Sequence, residues 1–317
     1  MEQSLFERLY DVLDNTAMLL FESDKTPYLD GLVLACEWIM SGDVLYEKNP
    51  DIAQKLETIR ASINDVSFDK ETVRKAMQVA ILKGLKHVKL SNQSMTPETI
   101  GILTAYLIGK LIPGNQTISM LDPLVGTGNY LTCVANQIDR EVQLYGVEMD
   151  KQRYFLATAM FDMMSYGEDV YYQDTLTYAG VLVDVIVTDF DFYEEVNQHY
   201  FPMETILHHR NNLKDHGYFL AVIPNDFFNQ PSQEQFRKDL LEQYQMIGLV
   251  KLPESLFRGL GKSILILRGR KPEDEYPKSF LLADVPSFED QDGFANALRQ
   301  INRWFLENHP IKENFNG

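Results

Sequence analysis

Ile118-Ser119-Met120-Leu121-Asp122-Pro123-Leu124-Val125-Gly126-Thr127-Gly128-Asn129-Tyr130-Leu131 is the stretch around which the chain is organised. An apolar run ends in an acid and a proline. A Gly-x-Gly turn follows, and a helical pattern begins at Asn129. The order is strand, tight loop, helix. Glycine lets the chain turn sharply and lets a ligand approach the backbone. The helix start then presents unpaired N–H groups to a polar ligand.

Downstream the same beat repeats. A helix is expected over Asn129 to Ile138, then a strand Gln143 to Val147 ending at Glu148. Helix Lys151 to Met164 leads to a short strand Val170 to Tyr172, followed by Gln173-Asp174. Strand Val183 to Val187 runs into Thr188-Asp189-Phe190-Asp191-Phe192-Tyr193. Helix Phe201 to Leu213, strand Tyr218 to Ile223, helix Ser232 to Glu242 and strands Met246 to Lys251 and Ser263 to Leu267 complete the pattern. Short apolar strands alternating with helices predict an α/β fold: a Rossmann-like, mostly parallel sheet of seven strands covered on both faces. Ligands in such sheets bind beyond the carboxyl ends of the strands, and the acidic loops named here fall on that edge. Residues after Gly269 are less regular, with a helix expected over Phe294 to Leu306.

Upstream, apolar residues recur at helical spacing. Leu5, Leu9, Val12, Leu13, Ala17 and Leu20 form one stripe, and Leu29, Leu32, Val33, Cys36 and Trp38 a second. A short helix over Asp51 to Ile59 and a longer one over Phe68 to Val88 follow, the latter with Val73, Met77, Ala80, Ile81 and Leu85 on one side. The expected division is a helical module over 1–92, an α/β domain over 93–270 and an extension over 271–317 packed on the body. Between the first two, Thr96-Pro97-Glu98 reads as a helix start, with Thr96 as cap and Pro97 as first residue.

Composition bounds the function. The chain has 317 residues, 45% hydrophobic and 24% charged, which are ordinary globular values. No apolar run reaches the roughly 18 residues of a membrane span, and the acidic N-terminus is no signal peptide. A membrane role is not expected, and the location expected is cytoplasmic. The two cysteines, Cys36 and Cys133, lie in apolar segments without metal-ligand spacing and read as buried free thiols. Net charge is −17 and the pI about 4.8. Such a chain repels nucleic acid as a whole, so DNA is reachable only through a local basic patch or a partner. The helical module is the surface expected to meet a protein partner.

Two ligands compete for the Gly126-x-Gly128 turn. A dinucleotide needs a small residue three positions after the second glycine, and Leu131 stands there. S-adenosylmethionine carries an amino acid in place of the pyrophosphate. Asp122 can accept from its ammonium, Gly126 and Gly128 admit its carboxylate and sugar, Glu148 can accept both ribose hydroxyls, and Asp174 can meet the adenine amino group. Four elements converge on this one ligand.

These residues resemble class I methyltransferases of the adenine-N6 DNA group, related to type I modification subunits. The likeness is greater to small stand-alone bacterial members of Gram-positive species. It is carried by Thr96-Pro97-Glu98, Asp122-Pro123-Leu124-Val125-Gly126-Thr127-Gly128, Gly146-Val147-Glu148-Met149-Asp150, Gln173-Asp174-Thr175-Leu176, Val222-Ile223-Pro224-Asn225-Asp226-Phe227-Phe228 and Leu256-Phe257-Arg258-Gly259-Leu260-Gly261-Lys262-Ser263. It covers nearly the whole chain. The resemblance implies that Thr96 and Pro97 border the cofactor pocket and that Asp122, Pro123, Gly126, Gly128, Glu148 and Asp174 hold S-adenosylmethionine. It implies that Asp189, Phe190 and Phe192 form the catalytic loop.

In that group the loop reads Asn or Asp, two prolines, then an aromatic. The first side chain and the carbonyl after it accept the two amino hydrogens of adenine, and the aromatic stacks on the flipped base. Here Asp189-Phe190-Asp191-Phe192 lacks both prolines. Asp184, Asp189, Asp191, Glu194 and Glu195 place five acids and no base across this segment. No base-reading element accompanies them. Arg258 and Lys262, amid glycines, are the small feature suited to a phosphate. His208, His209, His199 and His216 read as surface or boundary histidines, and Met160, Met163 and Met164 as core filling. The leading expectation is an S-adenosylmethionine-dependent methyltransferase of adenine-N6 DNA type with weak or absent transfer. The alternative is a degenerate member acting as a scaffold or regulatory binding protein.

Overall fold

The computed structural model describes residues 3–42, 49–87, 95–167, 169–190, 195–196, 199–229, 233–257, 259, 261–271 and 279–308. Helix α1 (Leu5–Asp24) starts from a Ser4/Glu7 capping box and stops at Lys25 in the left-handed region. Its stripe of Leu9, Val12, Leu13, Ala17 and Leu20 is buried, whereas Leu5 lies exposed at the helix start. Helices α2 (Tyr28–Ser41), α3 (Pro50–Arg60) and α4 (Lys70–His87) pack around α1. Tyr28 and Lys83 both donate to Asp14 Oδ1 across the bundle. Helix α5 (Glu98–Leu111) follows, with Pro97 at its cap position.

The sheet contains β1 (Ile118–Asp122), β2 (Val142–Glu148), β3 (Val170–Tyr172), β4 (Val183–Asp189), β7 (Leu213–Pro224), β8 (Tyr244–Lys251), β9 (Lys262–Gly269) and β10 (Leu281–Asp284). A two-residue hairpin, β5 (Glu195–Val196) and β6 (His199–Tyr200), follows β4. Helices α6 (Asn129–Asn136), α7 (Lys151–Met163), α8 (Phe201–His208), α9 (Gln233–Gln243) and α10 (Gln291–Asn308) complete the chain. Strand order is β10-β8-β9-β7-β4-β1-β2-β3. All pairs are parallel except those made by β9 with β7 and β8. Every residue of β1 is buried, as are Val183, Val185, Ile186 and Val187 of β4. Each apolar side chain among these contributes about 1.5–3 kcal/mol through burial. Through α2 and α4 the bundle packs on α7 and α6, so bundle and sheet share one core.

Three expectations change here. The sheet has an eighth strand: β10 runs parallel beside β8, with Leu281 opposite Gly248. Its four residues are too few for periodicity to separate them from a loop. The helix expected to reach Leu213 ends at His208. A 3-10 turn, His209–Asn212, leads into a β7 that begins five residues early. Its first part pairs irregularly, Val183 facing Leu213 and Val185 facing Tyr218. His209 is a core residue with no exposure, not a boundary one; His208 is half-buried as expected.

Candidate functional site

Register places three acids at adjacent strand ends. Asp122 of β1 lies opposite Gly146 of β2, two residues before Glu148, and Asp189 ends β4 next to β1. Asp122 Oδ1 accepts the Leu124 N–H at 2.9 Å, which folds the loop over the strand end. The buried Pro123 lies inside that turn. Val125 N–H donates to Val147 O at 3.0 Å and pins the loop to β2. Gly126 and Gly128 have φ of 57° and 81°, a region open to glycine. A Cβ on Gly128 would sit 3.3 Å from the Phe161 ring and 3.4 Å from Ala157 Cα, so α7 passes close beneath the turn. Helix α6 starts at Asn129 immediately after.

Asp122 is 2% exposed. Burial pushes its carboxyl up to about 7, and the nearby Asp189 and Glu148 charges add to that. The Leu124 N–H and the neighbouring Thr188 hydroxyl act against it. Glu148 is raised too, chiefly by burial, although its Oε1 accepts the Asp150 N–H at 2.7 Å. Asp174 is exposed at the end of β3, where it accepts the Leu176 N–H at 2.9 Å and caps a short 3-10 turn.

The second half of the site differs from expectation. Thr96 does not cap α5. Its hydroxyl donates to Asp189 Oδ2 at 2.8 Å across 93 residues of sequence. Lys262, at the start of β9, donates to Asp189 Oδ1 at 2.7 Å and to the Phe190 carbonyl at 2.9 Å. Lys262 is thus a partner of the β4 loop rather than an outward phosphate ligand. The Phe190 ring is fully buried, and the residue contributes its carbonyl to this contact. Asp184 is not at this mouth. It sits at the far end of β4, about 16 Å away at strand rise, where Lys214 Nζ and the Ser119 hydroxyl donate to Oδ2 at 2.9 Å and 2.7 Å. The acid cluster read from sequence is therefore split, and two of its members are ion-paired. Asp191, Phe192, Tyr193, Glu194, Arg258 and Leu260 lie outside the described residues.

A further link escaped the sequence reading. Arg74 of α4 has no exposure. Its guanidinium reaches Glu71, Glu98 and the Asn129 Oδ1, the last at 2.9 Å. A mid-helix arginine carries no local signal of such burial. Both cysteines are buried free thiols, and Met160 and Met164 fill the core. Among the described residues no cluster of metal-ligating side chains occurs, and no helix is long and apolar enough to cross a membrane. A cavity of about 670 Å³ opens at the amino-terminal edge of the sheet, beside Lys70, Asn136, Arg140 and Tyr166. None of the expected site residues lines it.

Sheet order, glycine turn and acidic strand ends define a class I methyltransferase-like fold. The chain belongs to the N-6 DNA methylase family, whose model matches residues 85–303; a model of the YtxK N-terminal helical domain matches residues 7–85. A Listeria monocytogenes protein assigned to the class I S-adenosylmethionine-dependent methyltransferases is 30% identical, with a TM-score of 0.84 over 95% of this chain and 98% of that one. The uncharacterised protein YtxK of Bacillus subtilis is 27% identical over 94% of this chain and 96% of its own length. A protein from Vibrio vulnificus assigned as the modification subunit of a type I restriction enzyme shares the fold. Its TM-score is 0.68 at 13% identity, over 96% of this chain and 91% of that one.

Proposed function

We propose that the chain binds S-adenosylmethionine beyond the carboxyl ends of β1, β2 and β3, and that methyl transfer to adenine N6 is suppressed at the loop after β4. The observation that carries the first part is the buried Asp122 carboxyl under two left-handed glycines, with Glu148 on the next strand. A buried acid poised near neutrality suits a cationic partner, because an ammonium restores the charge that burial disfavours. Asp122 would hold the cofactor's ammonium, Gly126 and Gly128 would admit its carboxylate, Glu148 would accept its ribose hydroxyls, and Asp174 would meet its adenine. Thr96 and Pro97 would border the pocket. Bound there, the cofactor supplies a sulfonium methyl group.

The remaining steps belong to the β4 loop. Asp189 and the Phe190 carbonyl are the acceptors that would draw the two hydrogens of an adenine amino group and turn its lone pair outward. Two features of this chain weaken that function. No proline stiffens the loop, and Lys262 already donates to both acceptors. Base reading would come from a protein partner, met through the helical segment 1–92, because a charge of −17 opposes unaided DNA binding. The protein would act in the cytoplasm. These features favour a second reading as well, a cofactor-binding scaffold or regulatory protein of the same fold.

The test is methyl incorporation from labelled S-adenosylmethionine into adenine-containing DNA. The proposal expects a rate at least about a hundredfold below that of a methyltransferase with an intact proline loop. A comparable rate would contradict it.

A further inference from the structure

Lys262 is mostly buried, its side chain 16% exposed and that of Asp189 12%. Its ammonium donates to one carboxylate oxygen of Asp189 and to the Phe190 carbonyl, while Thr96 donates to the other oxygen. An ammonium has three donors and no acceptor, so a carboxylate and a carbonyl presented side by side are complementary to it. A primary aromatic amine offers two donors to the same pair but no charge. The ammonium adds to its hydrogen bonds the attraction between opposite charges at 2.7 Å, which a neutral amine lacks. The lysine is therefore the stronger occupant.

We propose that Asp189 and the Phe190 carbonyl form a primary-amine subsite that the chain fills with its own Lys262, so that this side chain plugs the methyl-acceptor position. The acceptor assignment rests on the reading of the β4 loop given above; the amine subsite itself rests on the contacts alone. Any external amine enters only when Lys262 leaves.

The test uses the full chain carrying Lys262→Ala, with Lys262→Met as a second variant that keeps the apolar stem. Removal of the ammonium takes the Lys262 charge away from the mostly buried Asp189. The melting temperature is expected to fall by about 5 °C. Propylammonium should restore it saturably in Lys262→Ala, whereas tetramethylammonium, which has no N–H donor, should not. The parent chain should respond alike to both salts. Equal responses to the two salts in Lys262→Ala would overturn the subsite. In the second arm, Lys262→Met should methylate adenine in single-stranded DNA at least about tenfold faster than the parent; an equal or slower rate with cofactor still bound would overturn the plug. The propylammonium arm needs no cofactor. A chain that takes propylammonium but not S-adenosylmethionine sinks the cofactor reading and leaves the amine subsite standing.

Discussion

Arg74 Nη1 donates to Asn129 Oδ1 at 2.9 Å, joining α4 of the helical bundle to the first residue of α6, one position beyond Gly128. The bundle is thereby part of the turn proposed to hold the cofactor. Arg74 is fully buried and shared between Glu71 and Glu98. Replacing it removes the buried counter-charge of both carboxylates and leaves them to the half-exposed Lys75, 3.5 Å from Glu71 and 3.3 Å from Glu98. Arg74→Met should cost about 3 kcal/mol in urea unfolding and weaken S-adenosylmethionine binding as α6 loosens. Unchanged cofactor affinity would show that the bundle does not support the turn.

Asp122 makes stability depend on pH in an uncommon direction. Its carboxyl is raised to about 7 in the native state against roughly 3.9 unfolded. Between those values the native state holds the extra proton, so this contribution is full below about pH 4 and is lost as pH rises to 7. Asp122→Asn removes the penalty and should raise the melting temperature at pH 8 by about 4 °C, while abolishing cofactor binding. In the parent chain, affinity for S-adenosylmethionine should increase from pH 6 to pH 7.5 as Asp122 ionises. A flat profile across that interval would remove Asp122 from the ammonium's side.

His209 acts in the opposite sense. Its Nδ1 donates to Asn212 Oδ1 at 2.9 Å, and its Nε2 lies 2.7 Å from the Thr175 hydroxyl, which donates to it when the ring is neutral. Burial first, then the neighbouring His208, lowers it to about 4. The unfolded chain takes up a proton near 6.5 and the native state does not. Stability should therefore decline as pH falls from 6.5 to 4, and His209→Gln should flatten that decline. Parallel curves for the two proteins would exclude the histidine as its source.

Gly128→Ala places a side chain at φ 81° against Phe161 and Ala157. A loss of about 1–2 kcal/mol in stability is expected, with a larger proportional loss of cofactor affinity than at exposed Gly114→Ala. Equal affinities in the two variants would mean that the turn does not form the pocket.

The geometry proposed to hold the cofactor was legible because it is local. One window contains β1, Asp122, both glycines and the start of α6, and each further acid ends its own short strand. The contacts of the β4 loop were not. Thr96, Asp189 and Lys262 meet across separations of 93 and 73 residues. Thr96 followed by Pro97 carries a plausible local explanation as a helix cap, which hid its real partner. Asp184 and Asp189 look alike in a charge tally, yet they stand at opposite ends of one strand, each with its own lysine. β10 and the early start of β7 depend on pairing with distant strands, which no periodicity within four or five residues records. Arg74 reads as a solvated helix residue until α6 is packed beside it.

The central claim is that the β1–β2 edge holds S-adenosylmethionine through Asp122. Calorimetric titration of the full chain and of Asp122→Ala with S-adenosylmethionine tests it most directly. The account predicts saturable one-to-one binding by the parent chain and at least about tenfold weaker binding by the variant. No heat of binding up to millimolar cofactor, or equal affinity in the two proteins, would contradict it.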